Sequence, residues 1–301
     1  MVRLRSRGAL VRFLVFAAVL VASPHALADI GGNATQPGAR LKVLTRADLE
    51  QLAVELVTPK SKGPWFRYAT TSACPAAQPG VPGADNLCTA AMLMCAGNSE
   101  QQGLGPAVFV FRREVDRSGV PVAGAAGVWD RWRYTCLPQL VPGAGPRLSM
   151  ALIKQAFHDT DFSVPTVNIQ PEGDVTLVNL PTCFEVRFPA AGFGPDEVDT
   201  PDPARLLGYR IEVRPRLKSI TYHLGTMTIG PTTSMGGPHP RGDIRATYTQ
   251  PGSQQVRADI VYTGQFRVGG SRWFDIPGDV DLQGTPVTLT VREATSRLYT
   301  H

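Results

Sequence analysis

Polar and apolar positions alternate most regularly in the last third of the chain. Lys218 to Gly270 carries Lys-Ser-Ile-Thr-Tyr-His-Leu-Gly, a Gly/Pro/Thr-rich loop, Ile-Arg-Ala-Thr-Tyr-Thr-Gln-Pro-Gly and Val-Arg-Ala-Asp-Ile-Val-Tyr-Thr-Gly. A period of two, with turn residues between the runs, predicts half-buried antiparallel strands. From Tyr209 onward the expected strands are Tyr209–Val213, Ser219–Leu224, Ile244–Thr249, Val256–Val268, Arg272–Ile276 and Val287–Arg292. Pro277-Gly278 reads as a β-turn between strands. Many short strands with frequent turns predict a two-layered sandwich.

Helical periodicity is confined to the first half. Thr45 and Asp48 have the spacing of a capping box, and Leu49, Leu52, Ala53 and Leu56 form one stripe of a helix over 45–57. A second helix is expected over Ser149–His158, with Leu152, Ile153, Ala156 and Phe157 facing inward. A third is expected over Asp85–Ala96, capped by Asp85 or Asn86 and ended by Gly97. Ala107–Arg113 and Val128–Cys136 read as a long-looped hairpin. Its second strand should carry Trp132, Tyr134 and Cys136 on one face, and Trp129, Arg131 and Arg133 on the other. Thr166–Ile169, Val175–Val178 and Phe184–Phe188 are further short strands. Thr58–Gly83 reads as loop, Pro138–Pro146 as a linker, and Gly192–Pro203 as an exposed acidic loop.

Four arginines, an apolar run from Phe13 to Ala22 and Ala26-Leu27-Ala28 mark residues 1–28 as an export signal, with Asp29 beginning the mature chain. The net charge of +5 then falls to +1, because the signal holds four arginines and no acids. That removes the basic surplus a nucleic-acid-binding chain would need. No membrane span is expected after cleavage.

Export permits disulfides. Cys74, Cys88, Cys95 and Cys136 crowd the first half. Cys88 and Cys95 would lie two turns apart on the expected helix, roughly 10 Å along its axis, beyond disulfide reach. Two pairings remain: Cys74–Cys88 with Cys95–Cys136, or Cys74–Cys95 with Cys88–Cys136. Cys183 is expected to be an unpaired thiol.

Tyr222, Leu224 and Gly225, followed by Thr247, Tyr248, Pro251, Gly252 and Ser253, resemble the two motifs of a PKD-type repeat, an immunoglobulin-like sandwich of extracellular proteins. His223 and Thr226 stand where that family has acids. Pro171-Glu172-Gly173, Leu177 to Thr182, Phe184 to Pro189, Gly236-Gly237-Pro238 and Val291 to Ala294 are also similar to a group of secreted proteins of high-GC Gram-positive bacteria to which no activity is assigned. The resemblance implies a mainly β fold with a few helices: a C-terminal PKD-like antiparallel sandwich preceded by a disulfide-tied α+β region. The expected divisions are 1–28, 29–145, 146–208 and 209–301.

The chemistry-bearing residues point away from catalysis. Gly-x-Ser-x-Gly, His-Glu-x-x-His, a phosphate-cradling glycine loop and EF-hand spacing do not occur. His158, His223, His239 and His301 sit in no catalytic pattern, and Glu185 lacks the second carboxylate a glycosidase needs. His158, Asp159 and Asp161 read as a helix end, Asp275, Asp279 and Asp281 as strand and turn positions, and Arg241-Gly242-Asp243 as a turn. No catalytic, cofactor or metal residue is expected. Trp129, Trp132 and Trp273 are candidate ligand-stacking residues, since an exposed ring matches the C–H face of a sugar. The expectation is a secreted or cell-surface binding or spacer protein, partnered by a cell-envelope glycan or surface protein. The alternative is an extracellular hydrolase or its accessory subunit, with a site in 59–208.

Overall fold

Thr45 opens the first helix, α1 (Arg46–Val57). Its hydroxyl accepts from the Asp48 N–H at 3.3 Å, and the Asp48 carboxylate accepts from the Thr45 N–H at 2.8 Å. Such a cap contributes about 1 kcal/mol. Of the expected apolar stripe only Leu49 and Leu52 are buried, while Leu56 stays exposed. The computed structural model describes residues 41–58 and 63–294. The expected export signal and the leader from Asp29 lie outside the described residues.

A three-stranded antiparallel sheet follows, formed by β1 (Trp65–Ser72), β2 (Val108–Val115) and β3 (Asp130–Thr135) in that order. The first of these corrects the sequence reading, which took Thr58–Gly83 as loop. Pro/Gly-rich flanks hide a run, Trp-Phe-Arg-Tyr-Ala-Thr-Thr-Ser, whose aromatic and β-branched residues favour a strand. On β3 the expected single face of Trp132, Tyr134 and Cys136 is broken. Val110 pairs with Arg133 and Phe111 with Arg131, so Trp132 is the extra residue of a bulge. It therefore packs with Tyr68 against the α1 side, while Tyr134 and Cys136 face the disulfides.

The helix expected over 85–96 contracts to α2 (Thr89–Leu93) with Cys88 at its N-cap. Residues before it are held extended by the Ser72 hydroxyl, which donates to the Asp85 carbonyl at 2.8 Å, and by the Cys74–Cys88 disulfide. The second disulfide is Cys95–Cys136, and Cys183 is free and buried. The first of the two open pairings is thus the real one. The proline-rich 138–146 stretch begins with a 3-10 turn, Pro138–Leu140, and buries Leu137 and Val141 against Leu44 and Leu49.

The larger core lies between two further sheets. One has the order β5 (Val175–Leu177), β12 (Val287–Arg292), β10 (Gly252–Val268), β7 (Ile211–Leu224), β8 (Met227–Thr232), with β11 (Phe274–Leu282) also on β10. The other is β4 (Thr166–Gln170), β6 (Thr182–Arg187), β9 (Arg245–Ala246). Alternate residues of both sheets meet inside: Tyr222, Ile260, Tyr262 and Leu289 from the first, Ile169, Phe184 and Val186 from the second. Helix α3 (Met150–His158), capped by Ser149, adds Ile153 and Phe157. Strands from either side of residue 209 share both sheets. The fold is mainly β, with three α-helices among the described residues.

Three strand boundaries differ from expectation. Tyr209–Val213 and Ser219–Leu224 merge into β7, which runs through Pro215. The Pro215 carbonyl accepts from the Asp196 N–H, so this residue turns its backbone away from β10, where its missing N–H breaks no ladder bond. Ile244–Thr249 pairs only at Arg245–Ala246, because its partner turns at Pro181. Pro277-Gly278 is not a turn between strands but a bulge inside β11: Thr263 pairs with Asp279 and Gly264 with Ile276.

Candidate functional site

The β1–β2–β3 sheet is covered on both faces at one end and open at the other. The covered end carries Val108 and Val110 against α1, and Phe109 and Phe111 against the disulfide-bonded loops. From the middle of the sheet toward its open end the strands carry Arg112 and Arg133 on the α1 face and Arg67, Arg113 and Arg131 on the opposite face, with only Glu114 and Asp130 as acids on the same strands. None of these five arginines forms an ion pair among the described residues.

Aromatic rings hold four of them instead. Trp132 lies between Arg112 at 4.7 Å and Arg133 at 5.2 Å, and Arg112 also covers Phe66 at 5.1 Å. Arg113 stacks on Trp129 at 4.3 Å, and Arg131 on Phe109 at 4.3 Å. Each such contact is worth about 0.5–1 kcal/mol at a half-exposed site. The bulge at Trp132 produces the first stack, since it turns that ring to the face carrying Arg112 and Arg133. The Nε atoms of Arg113 and Arg133 are buried with no hydrogen-bond partner among the described residues. Burial lowers the Arg131 pKa, and it raises that of Tyr68 against the opposing charge of Arg112. The planar, ring-supported guanidinium is a rigid fork suited to carboxylate or phosphate oxygens.

A cleft of about 470 Å³ opens beside β1, between Thr70 and Thr71 and the Pro79–Pro82 loop. At its base Arg147 pairs with Asp85 and donates to the Thr70 hydroxyl at 2.8 Å and the Thr70 carbonyl at 2.5 Å. The Tyr209 hydroxyl joins this group; burial, then the Asp85 charge, raises its pKa against Arg147.

The third tryptophan is remote from that sheet. Trp273 carries Arg214 at 4.1 Å and Arg267 at 4.6 Å from its ring, where Arg214 donates to Gln265 and Arg267 pairs with Glu212. All three tryptophans are half-buried and carry at least one guanidinium on the ring. Tyr222, Leu224 and Gly225 lie on the β7–β8 hairpin, and Thr247, Tyr248, Pro251 and Gly252 on the link from β9 into β10. Leu224 pairs with Val256, which brings the two segments side by side.

The polar clusters of the sequence are engaged locally. Asp159 accepts from Gln155 and lies 3.5 Å from Arg205, Asp279 pairs with Lys218, Glu185 with Arg187, and Gly242 closes a turn onto Pro238. No group of three or more His, Cys, Asp or Glu that could hold a metal occurs among the described residues. Sequence reasoning missed one pair: His223 on β7 lies 3.0 Å from Asp259 on β10, which Arg257 also holds. Burial raises the Asp259 carboxyl. Hydrogen bonds from Arg257 and the Gly284 N–H, with the charges of Arg257 and His223, outweigh it and leave the pKa below its ordinary value. Strand alternation puts His223, Arg257 and Asp259 on polar faces, but register across strands is needed to join them.

Comparison with protein-family models, curated proteins and solved structures finds no match to this chain. No helix among the described residues is long and apolar enough to cross a membrane.

Proposed function

We propose that this is an exported binding protein whose contact surface is the arginine-rich open end of the first sheet, and whose ligand is an anionic glycan of the cell envelope. The observation that carries the reading is the set of five guanidiniums without carboxylate partners among the described residues, four of them held over aromatic rings. A guanidinium already fixed by a ring loses little freedom on binding and presents two parallel N–H groups to an acidic sugar or phosphate. The exposed ring edges beside it supply apolar contact to sugar C–H groups. The export signal and the two disulfides support an oxidising compartment. In this reading the PKD-like C-terminal strands are a spacer that carries the surface.

The test uses the intact mature chain, because residues 146–208 and 209–301 share sheets and cannot be separated cleanly. Envelope glycan fractions, with and without their anionic polymers, are sedimented with the protein. Attachment should require the anionic polymers and weaken steeply between ~50 and ~300 mM salt, as screening shortens. Arg112→Ala with Arg133→Ala should weaken it about tenfold or more, and Arg216→Ala on the far sheet should not. Salt-insensitive attachment, or equal attachment by the double variant, would refute the assignment.

A further inference from the structure

The edge of the first sheet along β1 is open over its first half. The Thr70 carbonyl accepts from Arg147, and the Ser72 N–H donates to the Ala84 carbonyl at 3.0 Å. Even-numbered residues of β1 therefore turn their backbone polar groups away from β2. Phe66 and Tyr68 belong to this set, and their outward N–H and C=O groups have no partner among the described residues. Arg147 and the Asp85 segment close the Thr70–Ser72 end of the edge; among the described residues nothing comparable closes the Phe66–Tyr68 end.

The two sides of this open edge differ in chemistry. On one side Leu52, Glu55 and Leu56 of α1, with Trp65, Phe66 and Tyr68, line a shallow groove. Leu56 is 41% exposed there, so the groove has apolar surface to cover. On the other side Arg67 is exposed and lies directly across the ladder from Arg113. Neither has an acidic partner among the described residues.

We propose that this edge receives an extended peptide from a partner protein by strand addition, and that the peptide alternates apolar and acidic residues. Backbone groups of Phe66 and Tyr68 supply ladder bonds to the added strand. Successive side chains of a strand point to opposite faces, so alternate positions enter the α1 groove and the others meet Arg67 on the edge strand itself. A second copy of this chain is disfavoured as the occupant. Two-fold pairing of β1 with itself would bring the Arg67–Arg113 sides of both copies together, and like charges across a pair of strands repel. This inference goes beyond the glycan surface: the two share Arg67, but the peptide needs the strand edge, which the glycan does not, and the glycan needs the Arg112–Trp132–Arg133 stack, which the peptide does not.

The probe is a synthetic peptide of about eight residues, a usual strand length, alternating valine and glutamate and carrying a fluorophore. It is titrated into the intact mature chain and followed by anisotropy, beside a control peptide with the same residues in two blocks. The alternating peptide should bind about tenfold tighter than the blocked one. Phe66→Ala keeps the outward N–H but trims the groove, so it should weaken that preference only in part. Phe66→Pro removes the N–H without touching the β2 ladder and should abolish the preference. Where Phe66→Pro does not fold, hydrogen exchange on the natural chain decides: the peptide should slow the Tyr68 amide. Equal binding of the two peptides, an unprotected Tyr68 amide, or protection that appears with protein concentration alone each overturn the proposal. Arg112→Ala with Arg133→Ala separates the two readings, since it should reduce glycan attachment and leave the peptide preference in place.

Discussion

Three tyrosines at the heart of the larger core differ in one atom's surroundings, and that difference sets their contribution to stability. Tyr222 and Tyr262 are fully buried and Tyr248 nearly so. The Tyr222 hydroxyl donates to the Ser234 carbonyl at 2.9 Å, whereas the hydroxyls of Tyr248 and Tyr262 have no partner among the described residues. Replacing Tyr222 by Phe removes a bond and strands a carbonyl, which costs about 1–2 kcal/mol. Replacing Tyr262 or Tyr248 by Phe deletes a buried polar group that nothing satisfies, so stability should be unchanged or rise by up to about 1 kcal/mol. Urea unfolding of the three single variants, with unchanged slopes, measures this directly. The same residues govern the alkaline limit. Burial raises all three phenols, that of Tyr248 to about 12. A folded-state value above the unfolded one, about 10, gives stability that is complete below pH ~10 and lost as pH rises beyond it. Tyr262→Phe should therefore flatten the alkaline limb of the stability profile. A loss on Tyr262→Phe as large as that on Tyr222→Phe would refute the reasoning, because it would mean the Tyr262 hydroxyl is satisfied.

Four other outcomes follow from the structure. Removing the Cys95–Cys136 bridge should cost about 4 kcal/mol and removing Cys74–Cys88 about 3 kcal/mol, since the first closes the longer loop, and denaturant midpoints of the two double-alanine variants give the order. Thiol titration should find no reactive group in the folded protein and one, Cys183, after denaturation, because that thiol is buried and free. Gly264→Ala should cost about 1–3 kcal/mol by thermal melting, since its Cβ would stand 2.8 Å from the Phe157 ring in the core. Asp259 has a lowered pKa, so its contribution is present above the unfolded value of about 4 and is lost as pH falls through the folded one; Asp259→Asn should flatten the acid limb of the urea-midpoint profile.

The parts of the fold that alternate or repeat without interruption were readable from residue order. The capping box of α1, the Ile153–Phe157 stripe of α3 and the long run of β10 are local patterns, and each forms where its period places it. What escaped is whatever depends on a neighbour. Pro215 looks like a strand break until Asp196 is seen on the outer side of β7. Gly230-Pro231 makes β8 look like loop, yet the strand bulges around them and pairs with β7. At the candidate site the arginines and tryptophans were visible singly. Their stacking was not, because it depends on a bulge at Trp132 that exists only once β2 is alongside. The disulfide pairing was narrowed by helix geometry and resolved only by the path of the chain through Cys88.

The parallel contact between β5 and β12 has a kinetic meaning. Thr290 pairs with Val175, so a sheet begun at β5 is finished only by a strand made far later in the chain. Such distant pairing is slow to form, and the larger core cannot be completed until β12 has left the ribosome. The first sheet, with both sulfur bridges inside residues 74–136, has no such wait. Nascent chains stalled before residue 287 should present a protease-resistant front and a digestible rear.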